Sequence, residues 1–285
     1  MYGFLSIQLR SFSDIRSENL RVFPPGPNGD SSFANKRAVE TLIFLVQDGL
    51  REFFEFAGTS TGKTEEGTSY LRYGLGRRLR DMFYAYRNFI GIVYPDRAKP
   101  LKDDEVGEAS RDLNLLYTHL VGTLDNVAWF MLHEMHPERL VNTPKSRIGL
   151  FQSTFLQAPD FNQVASEIEG LKPWWKTIQD KRDPSAHRIP LSVARSIVNP
   201  DEARRYQELN DQAVEGFRSL DLEKIGRSFD AMNTVGKFVP LFLHHPREGA
   251  INVFPTVPED IRIMLKLAQI CLVHWRDRHG EAQPR

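Results

Sequence analysis

Cysteine is almost absent from the sequence: Cys271 is the single one in 285 residues, so no disulfide can form within the chain. It lies in the apolar run Leu265-Lys266-Leu267-Ala268-Gln269-Ile270-Cys271-Leu272-Val273, where a thiol reads as a small core residue. An excess of charge of either sign is also missing, with 37 Lys and Arg against 37 Asp and Glu. A surface built to grip nucleic acid everywhere is basic, so any such contact here is a local patch. No run approaches the roughly 20 apolar residues of a membrane span. The first residues, Met1 to Arg10, lack the basic-then-apolar order of a signal peptide. The expectation is therefore no membrane and a cytoplasmic location. Period-two alternation is confined to Ala250-Ile251-Asn252-Val253-Phe254, and there is no internal repeat.

What the chain does have is apolar residues at helical spacing. Hydrophobic residues make up 41% and charged residues 26%, a balance that supports a folded core and excludes wholesale disorder. Residues 1–36 read as an irregular lead-in, with Phe23-Pro24-Pro25-Gly26-Pro27-Asn28-Gly29 at its centre. From Asn35 to about Ala57, apolar residues fall at Val39, Leu42, Ile43, Val46, Leu50, Phe53 and Phe54, in steps of three and four. The same spacing predicts helices over Ser69–Val93, Asp103–Met135 and Phe161–Asp180, with a polar loop from Gly58 to Gly67. Further helices are predicted over Pro200–Ser219, Leu222–Phe238 and Pro255–Trp275. The fold class is thus all-α. Residues 37–285 form one antiparallel helical bundle, and 188–258 are a proline-punctuated, partly helical excursion before the last helix.

Three strings look chemical and have duller readings. Ala57-Gly58-Thr59-Ser60-Thr61-Gly62-Lys63-Thr64 fits a loose phosphate-loop pattern, but a helix rather than a strand precedes it, and Thr64-Glu65-Glu66-Gly67 stands where the following helix must start. A flexible loop is the better reading. His133-Glu134-Met135-His136 has its histidines three apart instead of the four that a helical zinc pair needs, and Pro137 follows. Helix capping is preferred there, and His244-His245 lacks a further ligand at useful spacing. No metal and no cofactor is expected. Arg77-Arg78-Leu79-Arg80 and Arg87, among Tyr73, Tyr84 and Tyr86, have the composition to hold single-stranded nucleic acid; a solvated helix face is the favoured reading.

The remaining string is Arg182-Asp183-Pro184-Ser185-Ala186-His187. Five positions along a straight helix turn two side chains about 140° apart. Pro184 disfavours helical geometry at Asp183, so the expectation is a break that Asp183 caps with Pro184 in the first position. Such a break lets Arg182 and His187 turn toward one point. Histidine exchanges a proton near neutral pH, and arginine offers a permanent planar charge suited to phosphate.

The string resembles the Arg-x(4–6)-His motif of the HEPN superfamily (higher eukaryotes and prokaryotes nucleotide-binding), with the polar residue Asp183 after the arginine. Its extension through Arg188-Ile189-Pro190-Leu191 resembles bacterial HEPN-like proteins, as do Leu124-Asp125-Asn126-Val127-Ala128-Trp129, Pro200 to Tyr206 and Phe238-Val239-Pro240. The resemblance covers about residues 70–275. It implies an antiparallel bundle that forms a homodimer and, in active members, metal-independent cleavage of single-stranded RNA, in defence or stress response. His187 would then transfer the proton and Arg182 would hold transition-state charge. Asp183, Asp125 and Asn126 would support them, and Arg188 would contact substrate. The alternatives are a non-catalytic HEPN-like domain that binds RNA or nucleotide or serves as a dimerisation scaffold, and an unrelated helical protein in which Arg182 and His187 only tie a loop. Ile189 stands where some toxin members carry tyrosine, so regulation through that residue is not implied.

Overall fold

The computed structural model describes residues 33–187, 189–244 and 249–279, the side chains of 33–35, 184–187 and 279 excepted. Most of the lead-in, Arg188, His245 and the His187 side chain thus lie outside the described residues. Helix α1 (Phe33–Thr59) begins three residues before the expected end of the lead-in and buries Val39, Leu42, Ile43, Val46, Leu50, Phe53 and Ala57. Helix α2 (Glu65–Ser69) passes through a π-helical turn (Tyr70–Gly76) into α3 (Arg77–Ile92). Leu71, Leu75, Leu79, Met82, Tyr86 and Phe89 face inward along that combined element.

Helix α4 (Asp103–Met135) is the axis of the molecule, about 50 Å long at 1.5 Å per residue. Three acids fill its first turn, where the helix dipole favours them, and Glu105 accepts from the Lys102 N–H at 2.8 Å. Leu113, Leu116, Leu120, Leu124, Val127 and Phe130 are buried as their spacing predicts. Around α4 pack the π turn, α3, α7 (Lys172–His187) and α10 (Thr256–His279), with Cys271 buried in α10, and α1 packs on the π turn, α3 and α10. The short α5 (Ser153–Leu156) and α6 (Asn162–Glu169) cover one end of this core.

The excursion contains a hairpin of α8 (Pro200–Ser219) and α9 (Leu222–Met232) and three short strands. Strand β1 (Ser192–Val193) pairs antiparallel with β2 (Leu241–Leu243), which pairs with β3 (Ile251–Asn252), placing Val193 opposite Phe242 and Phe242 opposite Ile251. The sheet lies against α4, where Asn114 donates to the Leu191 carbonyl at 2.8 Å and accepts from its N–H at 2.9 Å. The described residues are therefore mostly helical with one small sheet, consistent with an all-α class. Among the described residues no helix is long and apolar enough to cross a membrane.

Several expected boundaries are corrected. The single helix over Phe161–Asp180 is two helices parted at Gly170-Leu171, with Pro173 in the first turn of the second, where a missing N–H costs nothing. The helix expected to reach Phe238 ends at Met232. The break expected at Asp183 is absent: α7 continues through Pro184 to His187. A proline inside a helix removes one ladder bond and costs about 3 kcal/mol. Only the last turn of α7 bears that cost, and the helix is already fastened one turn earlier through Lys181.

Candidate functional site

Helix α7 is fastened by a buried polar knot. Lys181 Nζ donates to Asp260 Oδ2 at 2.5 Å, Tyr117 Oη donates to the same oxygen at 2.8 Å, and Trp174 Nε1 donates to Oδ1 at 2.9 Å. This knot joins α4, α7 and α10. It turns the next residue, Arg182, toward a partly exposed position where Nη1 lies 3.1 Å from Asp183 Oδ1. The Nε atom of Arg182 is buried and has no hydrogen-bond partner among the described residues. With α7 unbroken, the break expected to turn Arg182 and His187 toward one point is absent, and the His187 side chain lies outside the described residues.

Arg182 instead lies within electrostatic reach of Asp125 on α4, with no ion pair between them. Burial raises the Asp125 carboxyl to about 6, against the pull of Arg78 and Arg182, both within electrostatic reach. The turn at Gly149 closes over this carboxylate so tightly that a Cβ there would sit 3.0 Å from Oδ1. Asn126 is buried and faces Gly74 of the π turn, whose added Cβ would meet the carboxamide at 3.0 Å. Asp183 is exposed and its contact is the one to Arg182.

One participant, His119, escaped the sequence reading, and another, Arg78, stood there only in a basic cluster read as a solvated helix face. The Arg78 guanidinium lies flat over Gly122, where a Cβ would come within 2.4 Å of Cζ, so only glycine permits this approach. Its Nη1 is 3.4 Å from His119 Nδ1. Since arginine only donates, that contact makes Nδ1 the acceptor of a neutral ring. Burial first, and then Arg78, hold His119 below the usual histidine range, consistent with a neutral ring. On a helical projection Asn126 lies about 40° from Gly122 on one side and Asp125 about 60° away on the other. Arg78 therefore sits over the seam of a polar stripe on α4 that runs His119, Gly122, Asp125, Asn126. Trp129 and His133 prolong the stripe, both stacked with Tyr70 at 5.1 Å between centroids. The signal was legible in principle: polar residues and a glycine at steps of three and four within an otherwise apolar helix.

Beside this stripe opens a cleft of about 460 Å³ lined by Tyr70, Tyr73, Arg77, Arg78, His119 and Asn126. A second cleft, of about 470 Å³ beneath α5 and α6, has Glu169 and Lys172 as its charged lining, already paired at 3.0 Å. The first is the chemically richer one.

The phosphate-loop-like string holds an anion of the chain's own. Glu134 is buried, and its carboxylate accepts from the N–H groups of Lys63 at 2.7 Å and Thr64 at 2.9 Å, from Thr64 Oγ1 at 2.8 Å and from Trp275 Nε1 at 3.1 Å. Thr64 also caps α2 by accepting from the Gly67 N–H, so a helix does start at Glu65, where its two acids suit the dipole. Glu134 is thus committed to this loop, and His136 lies 3.2 Å from Glu138. No group of three or more His, Cys, Asp or Glu residues is placed to hold a metal among the described residues. No family model, no curated protein and no solved structure matches the chain.

Proposed function

We propose that the protein binds RNA or a nucleotide through its phosphates on the polar flank of α4, between Arg78 and Arg182. The observation that carries this reading is that Arg78 of α3, laid over Gly122 in the cleft wall, and Arg182 of α7, with a buried Nε that has no partner among the described residues, both lie within electrostatic reach of one half-buried carboxyl of α4 without pairing with it. Arginine keeps its charge when desolvated and presents a planar fork that fits phosphate oxygens. Tyr70 and Tyr73 beside Arg78 add ring faces against which a base can stack. The resemblance of Arg182 to His187 to the HEPN motif points to the same ligand class. The test is equilibrium binding of a uridine trinucleotide. Arg78→Ala and Arg182→Ala should each weaken it by about tenfold, in line with the loss of a charged hydrogen bond. Full affinity in both variants overturns the proposal.

Metal-independent cleavage of the bound strand is a second reading, favoured by Asp125. With its carboxyl near 6, this group exchanges protons close to neutral pH. In such a step the ribose 2′-oxygen loses its proton to Asp125 and forms a bond to phosphorus. The bond from phosphorus to the 5′-oxygen breaks, and that oxygen takes a proton from a general acid, the role that the HEPN resemblance gives to His187. Arg78 and Arg182 hold the charge that accumulates on the phosphate, and a 2′,3′-cyclic phosphate remains. The expected result is cleavage in EDTA that Asp125→Asn and His187→Ala abolish while binding persists. Intact RNA after prolonged incubation with the wild type leaves the binding function alone.

A further inference from the structure

Five side chains of the π turn and α3 form a straight outer stripe: Tyr73, Arg77, Arg80, Tyr84 and Arg87. They follow one another at steps of four, three, four and three, which keeps them on one helical face over about 21 Å. All five are exposed, Tyr73 at 59% and Tyr84 at 48%, while the opposite face of the same element is core. Two arginines rest on the tyrosines: Arg77 lies 4.8 Å from the centre of the Tyr73 ring and Arg87 lies 5.8 Å from that of Tyr84. Neither forms an ion pair among the described residues, whereas Arg80 meets Asp81 at 3.3 Å. The stripe begins inside the cleft, whose lining includes Tyr73 and Arg77.

We infer that this stripe is a track for single-stranded RNA, leading from the α4 flank outward along α3; the inference rests on the phosphate-binding reading of that flank. A strand with unpaired bases needs two things in alternation, a cation at each phosphate and a flat apolar face at each base. The stripe offers both, two rings and three cations in the order Tyr73, Arg77, Arg80, Tyr84, Arg87. A guanidinium already laid on one face of each tyrosine fixes the ring and leaves a base stacked against it within reach of the same cation. A duplex hides its base faces and gains nothing from the tyrosines. An acidic protein surface would use the arginines and ignore the rings. A chain with balanced overall charge gains local affinity this way without binding polyanions over its whole surface.

The test uses the outer part of the stripe, beyond the residues that line the cleft. A labelled oligouridylate of about 20 nucleotides, longer than a single binding module covers, is titrated against wild type, Arg80→Ala/Arg87→Ala and Tyr84→Ala. All three proteins should melt alike, because the changed groups are exposed. The double arginine variant should bind at least about fivefold more weakly, with a salt dependence shallower by about 1.4, or about 0.7 for each lost phosphate contact. Tyr84→Ala should weaken oligouridylate binding and leave inorganic polyphosphate binding unchanged. The uridine trinucleotide should bind all three alike and respond to Arg182→Ala. Wild-type affinity of the double variant for oligouridylate overturns the track, as does equal competition by polyglutamate. If the trinucleotide fails to bind while oligouridylate binding still depends on Arg80 and Arg87, the flank reading falls and the track stands.

Discussion

Lys181 and Asp260 face each other inside the bundle with 2.5 Å between Nζ and Oδ2, both side chains about nine-tenths buried. Tyr117 and Trp174 donate to the same carboxylate, so the two charges are shared among three helices. Removing one member of such a pair leaves an uncompensated buried charge, which costs about 3–5 kcal/mol. Asp260→Leu should therefore lower the urea midpoint sharply, and Lys181→Met/Asp260→Leu should recover a large part of the loss. The same pair sets the direction of Arg182, so Asp260→Leu should also weaken trinucleotide binding. A loss below about 1 kcal/mol in the single variant contradicts a buried pair.

The anchor explains why Pro184 misleads a reader of the sequence. Local rules weigh one lost ladder bond and a ring clash and predict a corner at Asp183. They do not weigh a contact such as that between Lys181 and Asp260, 79 residues away, which holds α7 in place up to its last turn. Where a helix lies in a single amphipathic pattern, as in α1 or α4, burial follows from spacing alone: Val39, Leu42, Val46 and Leu50 are all inside. Strand β3 lies in the stretch from Ala250 to Phe254 whose alternation is visible, whereas β1 and β2 were illegible because two or three residues cannot show an alternation. Asp125 was reachable through family resemblance, and its proximity to Arg182 through the fold. Arg78 and His119 are 41 residues apart on different helices. Their meeting depends on Gly122, a residue that propensity marks as a weakness of the helix rather than as a seat for a guanidinium.

The raised carboxyl of Asp125 makes a pH prediction with a definite sign. Its folded value, about 6, lies above the ordinary aspartate range. Above pH 6 the folded state carries a costly buried charge. Stability therefore rises as pH falls through about 6 and levels off near the unfolded value. Asp125→Asn should stabilise the protein by about 1–2 kcal/mol at pH 7.5, a discounted fraction of the full shift, and have little effect at pH 4. Binding of a phosphate ligand should move the same way. A protonated Asp125 no longer competes for Arg78 and Arg182, and a protonated His119 adds charge, so affinity should climb between pH 7.5 and 5.5. In Asp125→Asn the climb should shrink to the part contributed by His119. A flat stability difference between wild type and Asp125→Asn from pH 4 to 7.5 rules out a titrating buried carboxyl.

Glu134 decides what the string from Ala57 to Thr64 does. A carboxylate that receives two backbone N–H groups, a hydroxyl and an indole N–H occupies the position that a phosphate takes in a nucleotide loop. The fit is close: a Cβ on Gly62 would stand 2.6 Å from Oε1, and one on Gly67 would stand 2.0 Å from it. The loop's glycines thus serve a glutamate of α4. Glu134→Ala strips four donors of their acceptor in a partly buried place, at about 1–3 kcal/mol for each buried group that finds no other partner. It should release the segment 58–64 to limited proteolysis, and added nucleoside triphosphate should give no protection. Lys63→Ala should leave both trinucleotide and triphosphate binding unchanged, since the proposed ligand flank lies elsewhere on α4. If Lys63→Ala lowers triphosphate affinity, or if triphosphate protects the loop of Glu134→Ala, the string is a nucleotide site that Glu134 merely blocks.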